Sequence, residues 1–301
     1  MASLEYCLRS GHKVSAVITA PDKPKGRGLH LEPNPVRAKC LKEGLLTFAP
    51  SSLRDLEWVK KITALEPDLF VVASYGKLVP PSWLSLPRKA ALNIHPSLLP
   101  KYRGAAPITW QILDGQKETG VSIAEVTPEL DAGDIFCQLR TPLDEKETTA
   151  TLSHRLSELA VKALEKVLKD LESGRLQRTR QKSEESSYAR KLTKEDGELK
   201  FTEPAEILAR KIRAFDPWPG TFIPFQDKSL RIIEGECDSI GCSEAKAGTL
   251  LEINPDGHLR IQAERGSLVI FKVQLPGRQA ISGRDFANGQ RLKPGFVFES
   301  R

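Results

Sequence analysis

Ala91-Leu92-Asn93-Ile94-His95-Pro96-Ser97-Leu98-Leu99-Pro100-Lys101-Tyr102-Arg103-Gly104-Ala105-Ala106-Pro107-Ile108 is the stretch that decides how this chain is read. Its opening apolar run predicts a strand, with Leu92 and Ile94 on one face and Asn93 and His95 on the other. Pro96 cannot donate to a ladder, so the strand should stop there. An amide and an imidazole then stand side by side at a carboxyl strand end, where open α/β sheets bind ligands. Asn93 and His95 alone could merely cap that end. Two further features point to chemistry: the Ser97–Pro100 turn that follows, and Leu130-Asp131-Ala132-Gly133-Asp134, which sets carboxylates in a loop between two strand-like runs. Asn supplies an N–H donor, His a donor or a proton, and Asp an orienting or proton-accepting carboxylate. That set suits acyl transfer to an amine with no covalent enzyme intermediate.

Outward from this stretch, strand and helix patterns alternate. Ser3–Arg9 reads as the end of a helix with Gly11 beyond it, and 14–19 as a strand. A basic Pro/Gly-rich loop, Pro21-Asp22-Lys23-Pro24-Lys25-Gly26-Arg27-Gly28, follows, and 35–44 reads as a helix. Residues 68–76 form a near-continuous apolar run, as buried parallel strands do. A helix over 107–114 closes at Gly115. Strands at 121–126 and 135–139 flank the Asp131 loop. Thr149–Glu172 carries the clearest helical stripe, Leu152, Leu156, Leu159, Ala163, Leu164, Val167, Leu168 and Leu171. The expected fold class is therefore α/β, with a Rossmann-like, mostly parallel sheet in a first domain over 1–176. A polar, charged stretch, 177–194, reads as a linker. The second domain, 195–301, opens with a helix over 204–214. Five short strands follow, near 220–226, 229–236, 247–253, 258–263 and 267–274, separated by turns such as Asn254-Pro255-Asp256-Gly257; they predict a small OB-like β-barrel.

Composition narrows the function classes. The chain has 301 residues, 40% hydrophobic and 28% charged, with no apolar run of membrane-spanning length and no secretory leader pattern at its start. A cytoplasmic protein is expected. Five scattered cysteines, at 7, 40, 137, 237 and 242, fit reduced thiols rather than a disulfide framework or a zinc site, so no metal is expected. The net charge of +6 divides evenly, with +3 in 177–301, so a nucleic-acid partner is permitted but must be argued locally. No Gly-x-Gly-x-x-Gly opens a helix after a strand, and no Gly-x-Ser-x-Gly is present. His12, His30, His154 and His258 lack any comparable setting.

On Asn93-Ile94-His95, Ser97-Leu98-Leu99-Pro100 and Leu130–Asp134 the chain resembles the folate-dependent formyltransferases. The basic loop at Lys23–Gly28, the run Tyr102–Ile108 and Arg213-Ala214-Phe215-Asp216-Pro217-Trp218-Pro219 extend the resemblance over essentially the whole chain. They narrow it to the members that act on charged initiator tRNA. The resemblance implies 10-formyltetrahydrofolate as donor, bound near Ser97, Leu98, Leu99, Pro100 and the Asp131 loop, with the α-amino group of methionine on initiator methionyl-tRNA as acceptor. Asn93 and His95 would stabilise the oxyanion, and Asp131 would orient His95 and assist proton removal. Lys23, Lys25 and Arg27 would contact the tRNA, and the second domain would hold its body; a monomer is expected. The family also begins with a strand and turn ahead of its first helix. This chain starts within that helix, so its sheet is expected to lack the first strand. The alternatives are a related enzyme that formylates an amino-sugar nucleotide, or a non-catalytic tRNA- or RNA-binding protein.

Overall fold

Asn34 shows how local signals build the first part of the molecule. The computed structural model describes residues 1–25, 30–238 and 244–298, with backbone alone for 23–25 and 30–31. Arg27 of the basic loop and Cys242 lie outside the described residues. Asn34 precedes Pro35, accepts from the Arg37 N–H at 3.1 Å and so starts a helix, while its Nδ2 donates to Thr19 Oγ1 and the Ala20 carbonyl. The elements in chain order are α1 (Ala2–Arg9), β1 (Val17–Ile18), β2 (Lys23–Lys25), β3 (His30–Glu32), α2 (Pro35–Lys42), β4 (Thr47–Phe48), α3 (Leu56–Thr63), β5 (Leu69–Ala73), α4 (Pro81–Leu84), β6 (Ala90–His95), β7 (Arg103–Gly104), α5 (Pro107–Leu113), β8 (Glu118–Glu125), β9 (Ile135–Pro142), α6 (Thr149–Glu172) and β10 (Tyr188–Ala189). They are followed by α7 (Ala205–Ala214), β11 (Thr221–Phe225), β12 (Lys228–Asp238), β13 (Leu250–Ile253), β14 (Leu259–Gln262), β15 (Ser267–Gln274), β16 (Ile281–Ser282) and α8 (Gly283–Gly289).

The chain divides into two compact units: Met1–Pro107, Glu118–Pro142 and His154–Ala189 form one, and Ile108–Lys117, Leu143–Ser153 and Arg190–Arg301 the other. In the first, a sheet runs β5-β6-β8-β9; β5 and β6 are parallel, and β8 and β9 join antiparallel. A second parallel pair, β1 and β4, stands apart from it. The α/β Rossmann-like fold is as expected, with the site strand β6 at the change from parallel to antiparallel neighbours. From the basic loop, β2 pairs antiparallel with β3. From Leu156 on, the expected stripe of α6 is buried at Leu156, Ala163, Leu164, Val167 and Leu168, and Glu165 and Lys169 pair at 2.6 Å across one turn.

Two elements differ from the expectation. The strand read over 14–19 is reduced to Val17–Ile18, and the apolar β5 is only half-buried rather than enclosed. The reason is pairing: among the described residues β1 has β4 alone and β5 has β6 alone, so each keeps one edge without a strand partner. The stretch 177–194, read as a linker, carries structure of its own. Ile135 and Thr179 exchange backbone bonds of 2.8 and 2.9 Å, and β10 pairs with β7. Two of its polar side chains, which gave no periodic signal, reach the rest of the first unit: Arg178 pairs with Glu125, and Gln181 bonds to Arg103 and to the Asp131 and Gly133 carbonyls.

In the second unit the five expected strands are all present. Among the described residues their ladder runs as an open antiparallel path β11-β12-β15-β14-β13, with β16 beside β15; no pairing joins β11 to β13 to close a barrel. Leu208 and Ile212 of α7 pack with Ile223, Phe225, Leu230, Ile232, Ile261, Ile270 and Phe286 into one core.

Candidate active site

β6 ends at His95, where Pro96 stops the ladder, and there the residues singled out in sequence meet. Asn93 Nδ2 donates to Asp131 Oδ1 at 2.8 Å. The other Asp131 oxygen accepts the Gly104 N–H at 2.8 Å and lies 3.6 Å from His95 Nδ1. His95 Nε2 lies 2.9 Å from the Tyr102 carbonyl. A carbonyl can only accept, so Nε2 carries the proton and donates, which leaves Nδ1 facing Asp131. The imidazole is therefore oriented by the Tyr102 carbonyl, while the Asp131 carboxylate is anchored by Asn93 and Gly104.

Burial decides the charge of this cluster. The side chains of His95 and Asp131 are 5% and 8% exposed. Desolvation pushes the His95 imidazole below its ordinary value; the Asp131 carboxylate and the Tyr102 carbonyl pull the other way without overcoming it. Asn93 is only half-buried, and among the described residues its amide nitrogen donates to Asp131 alone. The arrangement thus offers an N–H donor beside a neutral imidazole and a carboxylate. That is what an acyl oxygen turning into an oxyanion, and an amine losing a proton, require.

The loop carrying Asp131 is tightly held. Asp131 adopts φ 52°, a left-handed conformation uncommon for a residue with a side chain. A Cβ on Gly133 would sit 2.1 Å from the Glu125 carbonyl oxygen, so only glycine fits there. Gln181, from the stretch read as a linker, donates to the carbonyls of Asp131 and Gly133 at 2.9 and 2.6 Å. Its own oxygen accepts from Nε and Nη2 of the buried Arg103. Sequence reasoning saw Arg103 in a motif but missed Gln181, which sits in a polar run with no period to single it out.

The Ser97–Pro100 turn is pinned from β8 and β9. Ser122 Oγ donates to the Ser97 carbonyl at 2.7 Å, and Gln138 Nε2 donates to the Leu99 carbonyl at 2.7 Å. The Ser97 hydroxyl is spent on the Lys101 carbonyl, and Leu99 is buried against Ala124 and Ile135. Ser97 and Leu99 thus shape the turn with their side chains directed into the fold, while Leu98 and Pro100 are half-exposed. Among the described residues no group of three or more His, Cys, Asp or Glu is placed to hold a metal, and no helix is long and apolar enough to cross a membrane.

Residues 2–168 match the family model described as formyl transferase, and residues 191–291 match the one described as formyl transferase, C-terminal domain. The chain belongs to the formyl transferase family. Methionyl-tRNA formyltransferase of Marinobacter nauticus is 38% identical over 295 residues, 97% of this chain and 94% of that one. Its counterpart in Anaeromyxobacter dehalogenans is 37% identical over 294 residues, with the same coverage. The fold is shared with the N-formyltransferase of Helicobacter canadensis, solved with folinic acid and dTDP-3-aminofucose. That match has a TM-score of 0.66 at 19% identity, over 91% of this chain and 94% of that one.

Proposed function

We propose that this formyltransferase moves the formyl group of 10-formyltetrahydrofolate to the α-amino group of methionine on initiator methionyl-tRNA. The observation that carries the reading is the joining of Asn93, His95 and Asp131 in one buried cluster at the end of β6. The near-full-length relatives that bear this activity in their names support the choice of acceptor.

The amine nitrogen attacks the formyl carbon, and the carbonyl π pair moves to oxygen. The other N–H of the Asn93 amide donates to that oxygen. His95 Nδ1, neutral and beside Asp131, takes the proton the amine sheds, and the imidazolium so formed faces the Asp131 carboxylate and adds to oxyanion stabilisation. When the oxyanion collapses, the bond to N10 of the folate breaks and the same proton passes to N10. The products are formylated methionyl-tRNA and tetrahydrofolate, with no covalent enzyme intermediate. The folate would lie along the half-exposed Leu98 and Pro100 of the pinned turn. Lys23, Lys25 and Arg27 would follow tRNA phosphates, and the second unit would hold the tRNA body.

Transfer of labelled formyl from 10-formyltetrahydrofolate tests this directly, with charged initiator tRNA and a dTDP-amino sugar as rival acceptors. Formylation of the tRNA alone is expected. Transfer to the sugar alone would overturn the choice of acceptor, and RNA binding without any transfer would overturn the catalytic reading.

A further inference from the structure

We propose that Gln181 is a positioning residue for the reaction: with its amide held in one orientation by the buried Arg103 guanidinium, it fixes the Asp131 turn so that the carboxylate faces Asn93 and His95. The inference rests on the functional reading above. It concerns a residue that lies outside the Asn, His and Asp motifs and touches no reacting atom.

Gln181 makes four hydrogen bonds in one place. Nε2 donates to the Asp131 carbonyl at 2.9 Å and to the Gly133 carbonyl at 2.6 Å, bracketing the turn from both sides. Oε1 accepts from Arg103 Nε at 3.1 Å and Nη2 at 2.8 Å. A guanidinium can only donate and a carbonyl can only accept, so the amide has a single satisfied orientation. Gln181 is 8% exposed and Arg103 1%. Water therefore cannot readily replace either partner.

The turn needs such a brace. Asp131 sits in the left-handed region, a conformation that persists only where the surroundings over-determine it. Arg103 in turn stands between two backbone groups of the site: the Tyr102 carbonyl accepts from His95, and the Gly104 N–H donates to Asp131. One side chain thus links the loop that carries the carboxylate to the strand that orients the imidazole. The segment around Gln181 is anchored on both sides. Thr179 exchanges backbone bonds with Ile135, and Ser187 accepts the Tyr102 N–H on its hydroxyl and the Arg103 N–H on its carbonyl.

The test is a double-mutant cycle on turnover in the full chain, with the pH profile as a second readout. Gln181→Ala is expected to lower kcat at least about tenfold with KM for charged tRNA little changed. It should also move the acid limb of kcat to lower pH, because a displaced Asp131 no longer favours the His95 imidazolium. A purely structural role would lower the melting temperature and leave the limb in place. Gln181→Glu keeps the shape but presents an acceptor to two carbonyls, so it should fail to restore activity. If Gln181→Ala does not fold, Gln181→Asn, which keeps the amide on a shorter arm, carries the same measurements. Because Gln181 acts through Asp131, adding Gln181→Ala to Asp131→Asn should cost little beyond Asp131→Asn alone. Fully additive losses, or a wild-type kcat and acid limb in folded Gln181→Ala, would overturn the inference while leaving the functional reading intact. Wild-type turnover in Asp131→Asn would take Asp131 out of the catalytic set, and this inference with it, whereas absence of any formyl transfer by the unmutated chain would overturn the functional reading.

Discussion

At the residue scale the site is a contest between burial and charge. His95 has lost most of its solvent, which disfavours the imidazolium, and a single facing carboxylate only partly offsets this. The sign follows from the direction of the shift. A histidine depressed in the folded state stays neutral below its ordinary value of 6.5, so turnover should hold through that pH and fall only further into acid. The same shift contributes stability above the unfolded value, which is lost as pH falls through the folded one, because the unfolded chain binds the proton first. A kcat profile whose acid limb centres above pH 6.5 would contradict this. Asn93→Ala, His95→Ala and Asp131→Asn are each expected to cut kcat by about 10²-fold or more, as loss of one oxyanion donor or base does. Near-normal turnover in two of the three would sink the assignment. These three residues were legible in sequence because their chemistry is local to short motifs. Gln181 was not, because its role depends on a contact between residues 50 apart in the chain.

At the scale of elements, two short features carry separate expectations. Gly133 closes the Asp131 loop against Glu125 with no space for a Cβ. Gly133→Ala should therefore displace the loop, destabilise the chain by about 1–3 kcal/mol and reduce kcat together with it. A melting temperature and kcat equal to the wild type would show that the loop yields freely. The backbone of Lys23–Lys25 pairs antiparallel with that of His30–Glu32, and Arg27 falls between them in the sequence. Arg27→Ala should lower kcat/KM for tRNA most at low salt and flatten its salt dependence by about one phosphate contact, with donor KM unchanged. An unaltered kcat/KM at low salt would remove the loop from the acceptor site. The existence of β6, β8, β9 and the β11–β15 strands followed from alternation and turn residues. How deeply β5 is covered did not, because burial of a strand depends on what lies at its edge.

At the scale of the molecule, the two units are not the two halves of the sequence. Ile108–Lys117 and Leu143–Ser153 belong with the C-terminal residues. Within that unit Thr149 Oγ1 donates to the Ala214 carbonyl at 2.6 Å, and Trp110 Nε1 donates to the Arg190 carbonyl at 2.9 Å. Thr149→Val keeps the shape but orphans a carbonyl at the end of α7, so a loss of about 1–3 kcal/mol is expected. Urea titration of the full chain measures it. A fragment beginning at Arg190 lacks both inserted segments and should melt less cooperatively than the full chain; an equally sharp transition would show that the C-terminal residues form their core unaided.

The amino-acid sequence by itself determined the α/β and antiparallel elements, the Asn93, His95 and Asp131 set, and the turn that follows β6. Each rests on short-range physics: side-chain alternation, the donor that proline lacks, and the chemistry of individual groups. Only the tertiary structure decided which carbonyl orients His95, that Asp131 is anchored by Asn93 and Gly104, and that the polar run after α6 supplies Gln181 to the loop it braces. A polar side chain in a run without periodicity has no preferred partner until the backbone brings one within hydrogen-bonding distance. Once both are buried, the cost of leaving either unpaired fixes the arrangement.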